Sequence, residues 1–413
     1  MNHRGTIHSV SGWRAVLTLF FLTSMVESLV MSHVFSFLPL YLIELHTLNA
    51  KLWVGILNAT IFIFGLPLVP LWGIWANRYS GKAVIIRSAF VEAAFLGILG
   101  VSHALSGVIF AMSLIGFQLG NTGVMLAAIR RLAPSHRIGF AVSLFSVSSP
   151  VGMAIGPLYG GLLVSQAHLN LHTLYVSDGV LSLLSGLMLV VLYHEMKPIA
   201  PPNGQQDSAW VAAWKSVRTT FSLRITWVLF GVFLLLMLAR QMVNPYVPVA
   251  IVQFNPFPEQ ATLVIGVLMG IAALMGAIIT IIAGRFGDAV GFRRVLAGAF
   301  VLSAVFVVWM GWTRALVPFG LALAGYSAAT GIGAAMVFSL LSTRVPETHR
   351  TTALNLVYFP LYLGGIVGPV ISSGLSHFGL LAQFSVAAVL FTAGLVAVVV
   401  GLREQPVGAE VLG

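Results

Sequence analysis

The chain has 413 residues, of which 58% are hydrophobic and 8% are charged, whereas about a quarter of the residues are charged in a soluble domain. With 11 carboxylates and 21 Lys or Arg residues, the chain cannot cover the surface of a soluble protein of this length, so its composition excludes a soluble globular protein and a disordered one. The formal net charge of +10 is scattered singly between long apolar runs, which excludes a basic nucleic-acid face and indicates a lipid bilayer as the environment.

Apolar stretches of membrane-spanning length follow one another along the chain, and each helical span needs about 20 apolar residues. The runs are continuous and do not alternate like barrel strands, so they predict helices. The first run is too long for a signal-peptide core and predicts a retained membrane helix. Twelve transmembrane helices are predicted, over residues 14–43, 52–76, 83–105, 107–129, 138–164, 171–193, 225–250, 261–283, 295–313, 317–341, 351–375 and 380–402.

One sizeable hydrophilic break, rich in proline, separates the sixth and seventh predicted helices. It divides the chain into an N-terminal six-helix bundle (1–193), a cytoplasmic linker (194–224) and a C-terminal six-helix bundle (225–413). Eighteen Lys and Arg residues fall on or near one side of the membrane and two on the other, so both termini are predicted to be cytoplasmic. The predicted location is the cytoplasmic (inner) membrane.

Two motifs recur at nearly the same offset. WGIWANRYSGK at 72–82 and AGRFGDAVGFRR at 283–294 are basic hairpins between the second and third helix of each half, and their leading glycines are 211 positions apart. GMAIGPLYGG at 152–161 and GGIVGPVISSG at 364–374 lie in the fifth helix of each half, with Gly-Pro pairs 212 positions apart. Together they predict a duplicated six-helix unit, whose copies are parallel repeats because the helix number is even.

These motifs resemble those of the major facilitator superfamily and, within it, of the twelve-helix drug:proton antiporters. The first hairpin is similar to the family signature G-x-L-A-D-R-x-G-R-K, and 152–161 is similar to the fifth-helix motif of the antiporter branch. The end of the first helix, FLPLY at 37–41, also resembles that of efflux pumps of this kind. The resemblance implies gating roles for Gly73, Asn77, Arg78, Lys82, Gly284, Asp288, Gly291, Arg293 and Arg294, and an antiporter-motif role for Gly152, Gly156, Pro157, Gly160 and Gly161.

The resemblance also implies a major facilitator fold: an all-α membrane protein with 12 transmembrane helices in two pseudo-symmetric bundles. It implies alternating access to a small-molecule substrate, with the proton gradient as energy source and no cofactor. We expect a monomer. Three positions depart from the family pattern: Asn77 replaces an Asp, Ser80 replaces a Gly, and Gly116 replaces an Arg found in the fourth helix of many proton antiporters. Proton coupling therefore stays an open prediction.

Charged residues within predicted spans are candidate sites, because a charge at mid-membrane costs at least about 2.5 kcal/mol. Glu27 and Arg240 lie halfway along the first and seventh helices, which are equivalent in the repeat. We expect them to face one cavity and to pair or exchange partners during transport, with protonation of Glu27 driving the cycle. A permanent ion pair that fixes helix packing is the alternative.

Three further titratable residues are candidates for proton coupling. Glu92 follows Arg87 by five residues, so a local ion pair competes with a proton site. Asp178 lies among serines, where local hydrogen bonding explains it as well as coupling does. His33 lies six residues beyond Glu27 and is either a proton shuttle or a neutral histidine bonded to a backbone carbonyl.

A pocket for lipophilic substrates should be apolar and aromatic with a few polar groups. The glycines at 152, 156 and 160 share one helix face and predict close helix packing, with a bend at Gly156-Pro157 where the halves rock. The pocket-lining candidates are Asn58, Gln118, Asn121, Gln241, Asn244, Tyr246, Tyr358, Phe359 and Tyr362.

Sequence motifs for other energy sources and chemistries are missing. The chain has no Walker motif G-x-x-x-x-G-K-[ST], no H-E-x-x-H, no G-x-S-x-G and no cysteine, so we expect neither ATP use, nor catalysis, nor a metal site. The main prediction is proton-driven multidrug efflux of lipophilic or cationic compounds such as antibiotics. The alternatives are another cargo without proton antiport (a sugar, lipid, siderophore or anionic metabolite) and, remotely, an intramembrane enzyme.

Overall fold

The computed structural model describes residues 12–167, 169–195, 223–346, 353 and 356–402, and within α2 the side chains of residues 69–71, 73, 74, 77 and 78 lie outside the description. No strand occurs in the described residues. The α-helices are α1 (Gly12–Glu44), α2 (Ala50–Arg78), α3 (Gly81–Val101), α4 (Leu105–Gln118), α5 (Asn121–Leu132), α6 (Ile138–Gln166), α7 (Leu171–Leu192), α8 (Arg224–Val243), α9 (Val247–Phe254), α10 (Ala261–Val290), α11 (Phe292–Trp312), α12 (Leu316–Arg344), α13 (Tyr358–Gly374) and α14 (Leu380–Gly401).

Eleven segments of the described chain are long and apolar enough to cross a bilayer, and each coincides with one of the predicted spans. The remaining predicted span, 351–375, begins outside the described residues. Its described part is α13, which has 17 residues. The all-α, multi-pass fold class predicted from the sequence is confirmed.

The fourth predicted span, 107–129, is not one continuous helix. Helix α4 ends at Gln118, Leu119 is extended, and Gly120 takes a φ of 101° before α5 begins at Asn121. Glycine adopts this left-handed backbone conformation without the steric cost that a side chain would bring. The prediction of an unbroken helix was wrong here, because hydropathy registers the length of an apolar run but not a break within it.

Contacts divide the chain into two compact units, Met1–Gln205 with Pro245–Leu274, and Gln206–Asn244 with Met275–Gly413. The boundaries fall in the linker, at the 3-10 turn Asn244–Tyr246 between α8 and α9, and inside α10. The predicted bundles 1–193 and 225–413 stay a prediction. Most of the predicted linker lies outside the described residues.

In the first unit, the glycine stripe of α6 packs directly against α1. A methyl group at Gly156 would meet Ser32 Oγ and approach the carbonyl oxygen of Leu29 to 2.6 Å, and one at Gly160 would lie 2.8 Å from His33 Nε2. The predicted close packing is therefore confirmed. The helix runs unbroken through Pro157, and the hinge role of Gly156-Pro157 stays a prediction.

The second unit repeats these contacts. Gly364 and Gly368 of α13 face α8, where added methyl groups would lie 2.9 Å from the nitrogen and 2.6 Å from the oxygen of Leu238. The basic hairpin residues also behave alike within their own units. Lys82 donates to the carbonyl of Val190 at 2.9 Å, and Arg293 donates to that of Val399 at 2.9 Å. Equivalent contacts in the two units are what a duplicated sequence predicts.

An apolar cluster surrounds the N-terminal end of α1. Trp13, Leu17 and Phe20 pack with buried side chains of four other helices, and the ring of Phe20 lies 4.9 Å from that of Tyr193, edge to face. The partner side chains from α3, α5, α6 and α7 are Ile85, Met125, Ile129, Phe145 and Leu189. This cluster closes one end of the polar region described next.

Candidate functional site

The Glu27 carboxylate is held by both sides of the break in the fourth span. Gln118 Nε2, at the end of α4, donates to Glu27 Oε1 at 2.7 Å. Asn121 Nδ2, at the start of α5, donates to Glu27 Oε2 at 2.7 Å. Because the break turns the chain between these residues, both amides reach one carboxylate from a single span.

Glu92 of α3 shares one of these donors. Gln118 Nε2 also donates to Glu92 Oε1 at 3.0 Å, and Ser182 Oγ of α7 donates to Glu92 Oε2 at 2.9 Å. Glu92 is only 2% exposed, whereas Glu27 is partly exposed. The amide of Gln118 therefore bridges two carboxylates, and each of the four carboxylate oxygens accepts a hydrogen bond.

Arg87 stabilises the break itself. Its Nη2 donates to the carbonyl oxygens of Gln118 at 3.2 Å and Leu119 at 2.9 Å, and Ser88 Oγ donates to the Gln118 carbonyl at 2.8 Å. The guanidinium carbon lies 3.6 Å from the ring centre of Trp72. A helix end leaves carbonyls unpaired and carries partial negative charge, so a cation there supplies both the donors and the favourable charge.

The local ion pair that the sequence allowed between Arg87 and Glu92 is replaced by these contacts. Within the described chain, the one contact within 4 Å between a basic and an acidic side chain is that of His33 with Asp178. Residues five apart on a helix point about 140° apart, so Arg87 and Glu92 face different neighbours. Arg87 instead lies close enough to Glu27 for direct electrostatic attraction.

A small cavity of about 10 Å³, which is room for about one water molecule, lies beside the two carboxylates. Its polar lining consists of Thr23, Glu27, Glu92, Asn121 and Ser185. Its apolar lining includes members of the cluster around the N-terminal end of α1. Pockets for drug-sized ligands measure about 300–1,000 Å³, so this cavity suits water and protons better than a drug.

His33 and Asp178 form a second buried polar group. His33 Nδ1 lies 2.8 Å from Asp178 Oδ2, and His33 Nε2 lies 2.8 Å from the carbonyl oxygen of Gly156. The sequence offered a backbone carbonyl as the alternative partner of His33, and the structure provides both the carbonyl and the carboxyl group. These contacts join α1, α6 and α7.

The other predicted site residues make their hydrogen bonds to groups other than these carboxylates. Asn58 donates to the Val54 carbonyl of its own helix at 2.8 Å, and Tyr246 donates to the Lys51 carbonyl at 2.9 Å. Arg240 lies in the last turn of α8, and its carbonyl accepts a 3.5 Å hydrogen bond from Tyr326. Its predicted pairing with Glu27 joins residues of different units and stays a prediction.

The remaining pocket candidates are spread over the second unit. Gln241 lies in α8 beside Gly368, and Asn244 opens the 3-10 turn after that helix. In α13, Tyr358 and Phe359 are each 50% exposed, whereas Tyr362 is buried. Whether any of them lines a substrate pocket stays a prediction.

The first hairpin takes its acid from elsewhere in the chain. Glu195, just beyond α7, accepts hydrogen bonds from Ser80 Oγ and the Gly81 nitrogen, both at 2.6 Å. Ser80 Oγ also accepts from the Ala83 nitrogen at 3.0 Å and so caps α3. The side chains of Asn77 and Arg78, and the surroundings of Gly73, lie outside the description, so the gating role of these residues stays a prediction.

In the second hairpin, Gly291 precedes α11 with a φ of 100°. Asp288 and Arg294 are exposed, and a methyl group added at Gly284 would meet none of the described residues outside its own helix turn within 4 Å. Arg293 reaches another helix by donating a hydrogen bond to the carbonyl of Val399.

Three residues that make these contacts are not among the site residues predicted from the sequence: Arg87, which the sequence offered only as an ion-pair partner of Glu92, Ser182 and Glu195. Ser182 had a usable signal, because it follows Asp178 by four residues and so shares its helix face. The Gly-Asn pair at 120–121 was a usable signal for a helix start inside an apolar run.

Membrane-length helices in two units, with carboxylates buried around a broken span, define a polytopic membrane protein of the transporter class. The family model described as the Major Facilitator Superfamily matches residues 16–280 and 229–412, so the chain belongs to that superfamily. It is a transporter and not an enzyme, as the sequence predicted.

Among curated proteins, the chain is similar to Multidrug resistance protein MdtG of Enterobacter lignolyticus (strain SCF1), with 25% identity over 408 residues, 97% of this chain and 94% of that protein. MdtG of Salmonella typhi is 24% identical over 392 residues, 92% of this chain and 94% of that protein.

Two solved structures share the fold at low identity. The nucleoside transporter NupG gives a TM-score of 0.75 at 15% identity, covering 94% of this chain and 100% of that one. A bacterial homolog of the human lysosomal transporter Spinster, inward-facing and occupied, gives 0.74 at 14% identity, covering 97% and 100%. At these identities the likeness concerns the fold alone.

Proposed function

We propose that this transporter exports lipophilic or cationic small molecules in exchange for protons, by alternating access. The observation that carries the proposal is the Glu27 carboxylate, which bridges the two sides of a broken span and borders a small polar cavity. Two curated relatives that cover nearly the whole chain are named multidrug resistance proteins, which supports drug-like cargo. We place the protein in the cytoplasmic membrane with both termini in the cytoplasm.

The proposed coupling follows from the hydrogen bonds of Glu27. An ionised carboxylate only accepts, and both of its oxygens are occupied by N–H donors from Gln118 and Asn121. A proton on either oxygen adds a donor beside an amide N–H and makes that oxygen a weaker acceptor. Protonation therefore weakens the hydrogen bond from Gln118 or Asn121, which loosens one side of the break. Proton binding is thereby converted into a movement of α4 or α5.

The position of Glu27 suits this role better than that of Glu92. Glu27 is partly exposed and lines the cavity, so a proton can reach it through water. Glu92 is almost fully buried and shares the Gln118 amide, so it responds to the charge of Glu27 through a common donor. In this mechanism Glu27 exchanges the proton and Glu92 assists.

The test is flux in proteoliposomes under an imposed pH gradient, with a pH-sensitive dye inside. A panel of lipophilic cations, neutral antibiotics and anionic metabolites is added to wild type, Glu27→Gln and Glu44→Gln. Glu44 is the matched control, because it is an exposed glutamate at the far end of the same helix. We expect cation-triggered proton movement in wild type and in Glu44→Gln, and its loss in Glu27→Gln, which should still elute as a folded protein.

Full proton-coupled flux in Glu27→Gln would contradict the coupling site. Substrate movement without proton movement in wild type would make the protein a facilitator, and movement of the anionic compounds alone would replace drugs by an anionic cargo. Each result points to a different revision.

A further inference from the structure

A fully buried histidine and a nearly buried aspartate face each other in the first unit. His33 has no exposed surface and Asp178 is 4% exposed. The imidazole is held at both nitrogens, 2.8 Å from Asp178 Oδ2 and 2.8 Å from the Gly156 carbonyl oxygen. We propose that His33 and Asp178 together bind one proton, forming a proton site distinct from Glu27, and that release of this proton breaks the contact among α1, α6 and α7.

The number of protons follows from the identity of the partners. A backbone carbonyl can only accept, so the nitrogen that faces Gly156, Nε2, must carry a hydrogen. A neutral imidazole has only one N–H, which leaves Nδ1 as a bare acceptor. An ionised carboxylate is also only an acceptor, so a 2.8 Å contact between Nδ1 and Asp178 requires one further proton.

This proton resides either on Nδ1, as imidazolium with carboxylate, or on Asp178, as imidazole with carboxylic acid. The pair is neutral overall in both cases. A neutral pair agrees with the burial of His33 and Asp178, because burying an isolated charge is far more costly than burying a neutral hydrogen-bonded pair.

Loss of the proton leaves a lone pair and a negative charge in contact. Within the described chain, the titratable groups that face the pair are Tyr159 on α6, Tyr175 on α7 and Glu92 on α3, with Glu27 six residues earlier on α1. None of these groups is a cation, so none of them compensates the released charge. The imidazole must then turn away from Asp178 or give up the Gly156 carbonyl.

The surroundings turn that rotation into helix displacement. The imidazole fits against α6 because residue 160 is glycine, and an added methyl group there would lie 2.7 Å from His33 Cδ2. The ring of Tyr159 covers the imidazole at a centroid distance of 6.4 Å. With this little free space, a changed ring position separates α1 from α6 or from α7. The role of this step in transport rests on the proposed proton coupling, whereas the bound proton does not.

The experiment is solid-state NMR of the full chain in lipid bilayers, with ¹⁵N-labelled histidine and ¹³C-labelled aspartate. The chain has eleven histidines and three aspartates, and His33→Gln and Asp178→Asn identify the two signals by difference. His136→Gln, at an exposed histidine, is the control. At neutral pH we expect protonated Nε2 on His33, together with either a protonated Nδ1 or a carboxylic-acid signal from Asp178.

In Asp178→Asn we expect Nδ1 of His33 to give the signal of a bare ring nitrogen, whichever partner holds the proton in wild type, while Nε2 stays protonated. A neutral imidazole beside an ionised carboxylate in wild type overturns the proposal, and this result needs no substrate. The same holds if Nδ1 of His33 is protonated in wild type and remains so in Asp178→Asn.

The flux assay then separates this proposal from the proposed function. Proton-coupled flux that is lost in Glu27→Gln and has unchanged stoichiometry in Asp178→Asn would remove the pair from the transport cycle. A shared proton in the spectra of a protein without proton-coupled flux would refute the proposed function and leave the proton site intact.

Discussion

Replacing Gln118 by leucine tests whether one amide stabilises the two neighbouring carboxylates of Glu27 and Glu92. The variant keeps the side-chain size and removes the donor to Glu27 Oε1 at 2.7 Å and to Glu92 Oε1 at 3.0 Å. A hydrogen bond to a charged group contributes about 1.5–3 kcal/mol, so two contribute about 3–6 kcal/mol. Gln118 Oε1 is buried without a partner among the described residues, so its removal is favourable and offsets part of the lost hydrogen-bond energy. We expect a net loss of about 2–4 kcal/mol in the free energy of unfolding.

The loss should depend on pH, and its sign follows from what the amide stabilises. The N–H groups of the Gln118 amide favour the ionised carboxylates over the protonated acids. Their removal should therefore lower the free energy of unfolding most at alkaline pH. As the pH falls, Glu27 and Glu92 take up protons and the difference between variant and wild type should shrink. Thermal unfolding in detergent, followed by tryptophan fluorescence across a pH series, measures both the size and the slope.

Gln383→Leu is the matched control. Gln383 is equally buried, and its Nε2 donates at 2.7 Å to a neutral acceptor, the carbonyl of Ser372. A hydrogen bond between neutral groups contributes about 0.5–1.5 kcal/mol, and this one involves no titrating partner. We expect a smaller loss that is independent of pH. If Gln118→Leu behaves like Gln383→Leu in both respects, the bridge between the carboxylates does not stabilise the fold.

Three further substitutions test the packing and capping around the site by the same unfolding measurement. Gly156→Ala should lower the free energy of unfolding by about 1–3 kcal/mol, because the added methyl group overpacks the contact with α1. Gly139→Ala, in the same helix but with open space around it, should stay within about 1 kcal/mol of wild type. Equal effects of the two substitutions would contradict the packing argument. Ser80→Ala should lose about 1 kcal/mol as the α3 cap disappears, and no loss would show that the cap is dispensable. Arg87→Lys keeps the charge but loses the planar stacking on Trp72, so the free energy of unfolding should fall by about 1–2 kcal/mol. An unchanged stability would show that the charge of Arg87 matters and its stacking on Trp72 does not.

The helical spans were predictable because a bilayer leaves the chain few choices. Every backbone group must be satisfied within the membrane, so an apolar run of sufficient length favours a helix. Eleven of the predicted spans reappear, with helix ends shifted by up to seven residues. The break at Leu119-Gly120 escaped prediction for the same reason: neither residue is polar, so the run stayed apolar through the point where the backbone turns. The hydrogen bonds of Gln118 and Asn121 to Glu27 depend on the direction of the backbone at this break, and hydropathy does not measure that direction.

The candidate site was predictable in its members but not in its connections. Glu27, Glu92, Asp178 and His33 stood out because titratable groups are rare in apolar runs. Their partners could not be assigned, since Asp178 and His33 are 145 positions apart and only the packing of α7 on α1 brings them together. Arg87 was misassigned because its distance along the helix suggested Glu92, whereas its direction takes it to the end of α4.

Helix α1 carries both polar groups, and this links their protonation mechanically. Glu27 accepts from two amides across the break in the fourth span, and His33, six residues further along, is fixed to α7 through Asp178 and to α6 through the Gly156 carbonyl. The first group is arranged to accept hydrogen bonds and the second requires a bound proton. In the proposed mechanism, a displacement of α1 that strains one group also strains the other, so we expect addition of a proton at Glu27 and release of one at His33 and Asp178 both to loosen the same helix. Because glycines of α6 bring that helix into close contact with α1 along this segment, we expect a movement of α1 to displace α6 as well.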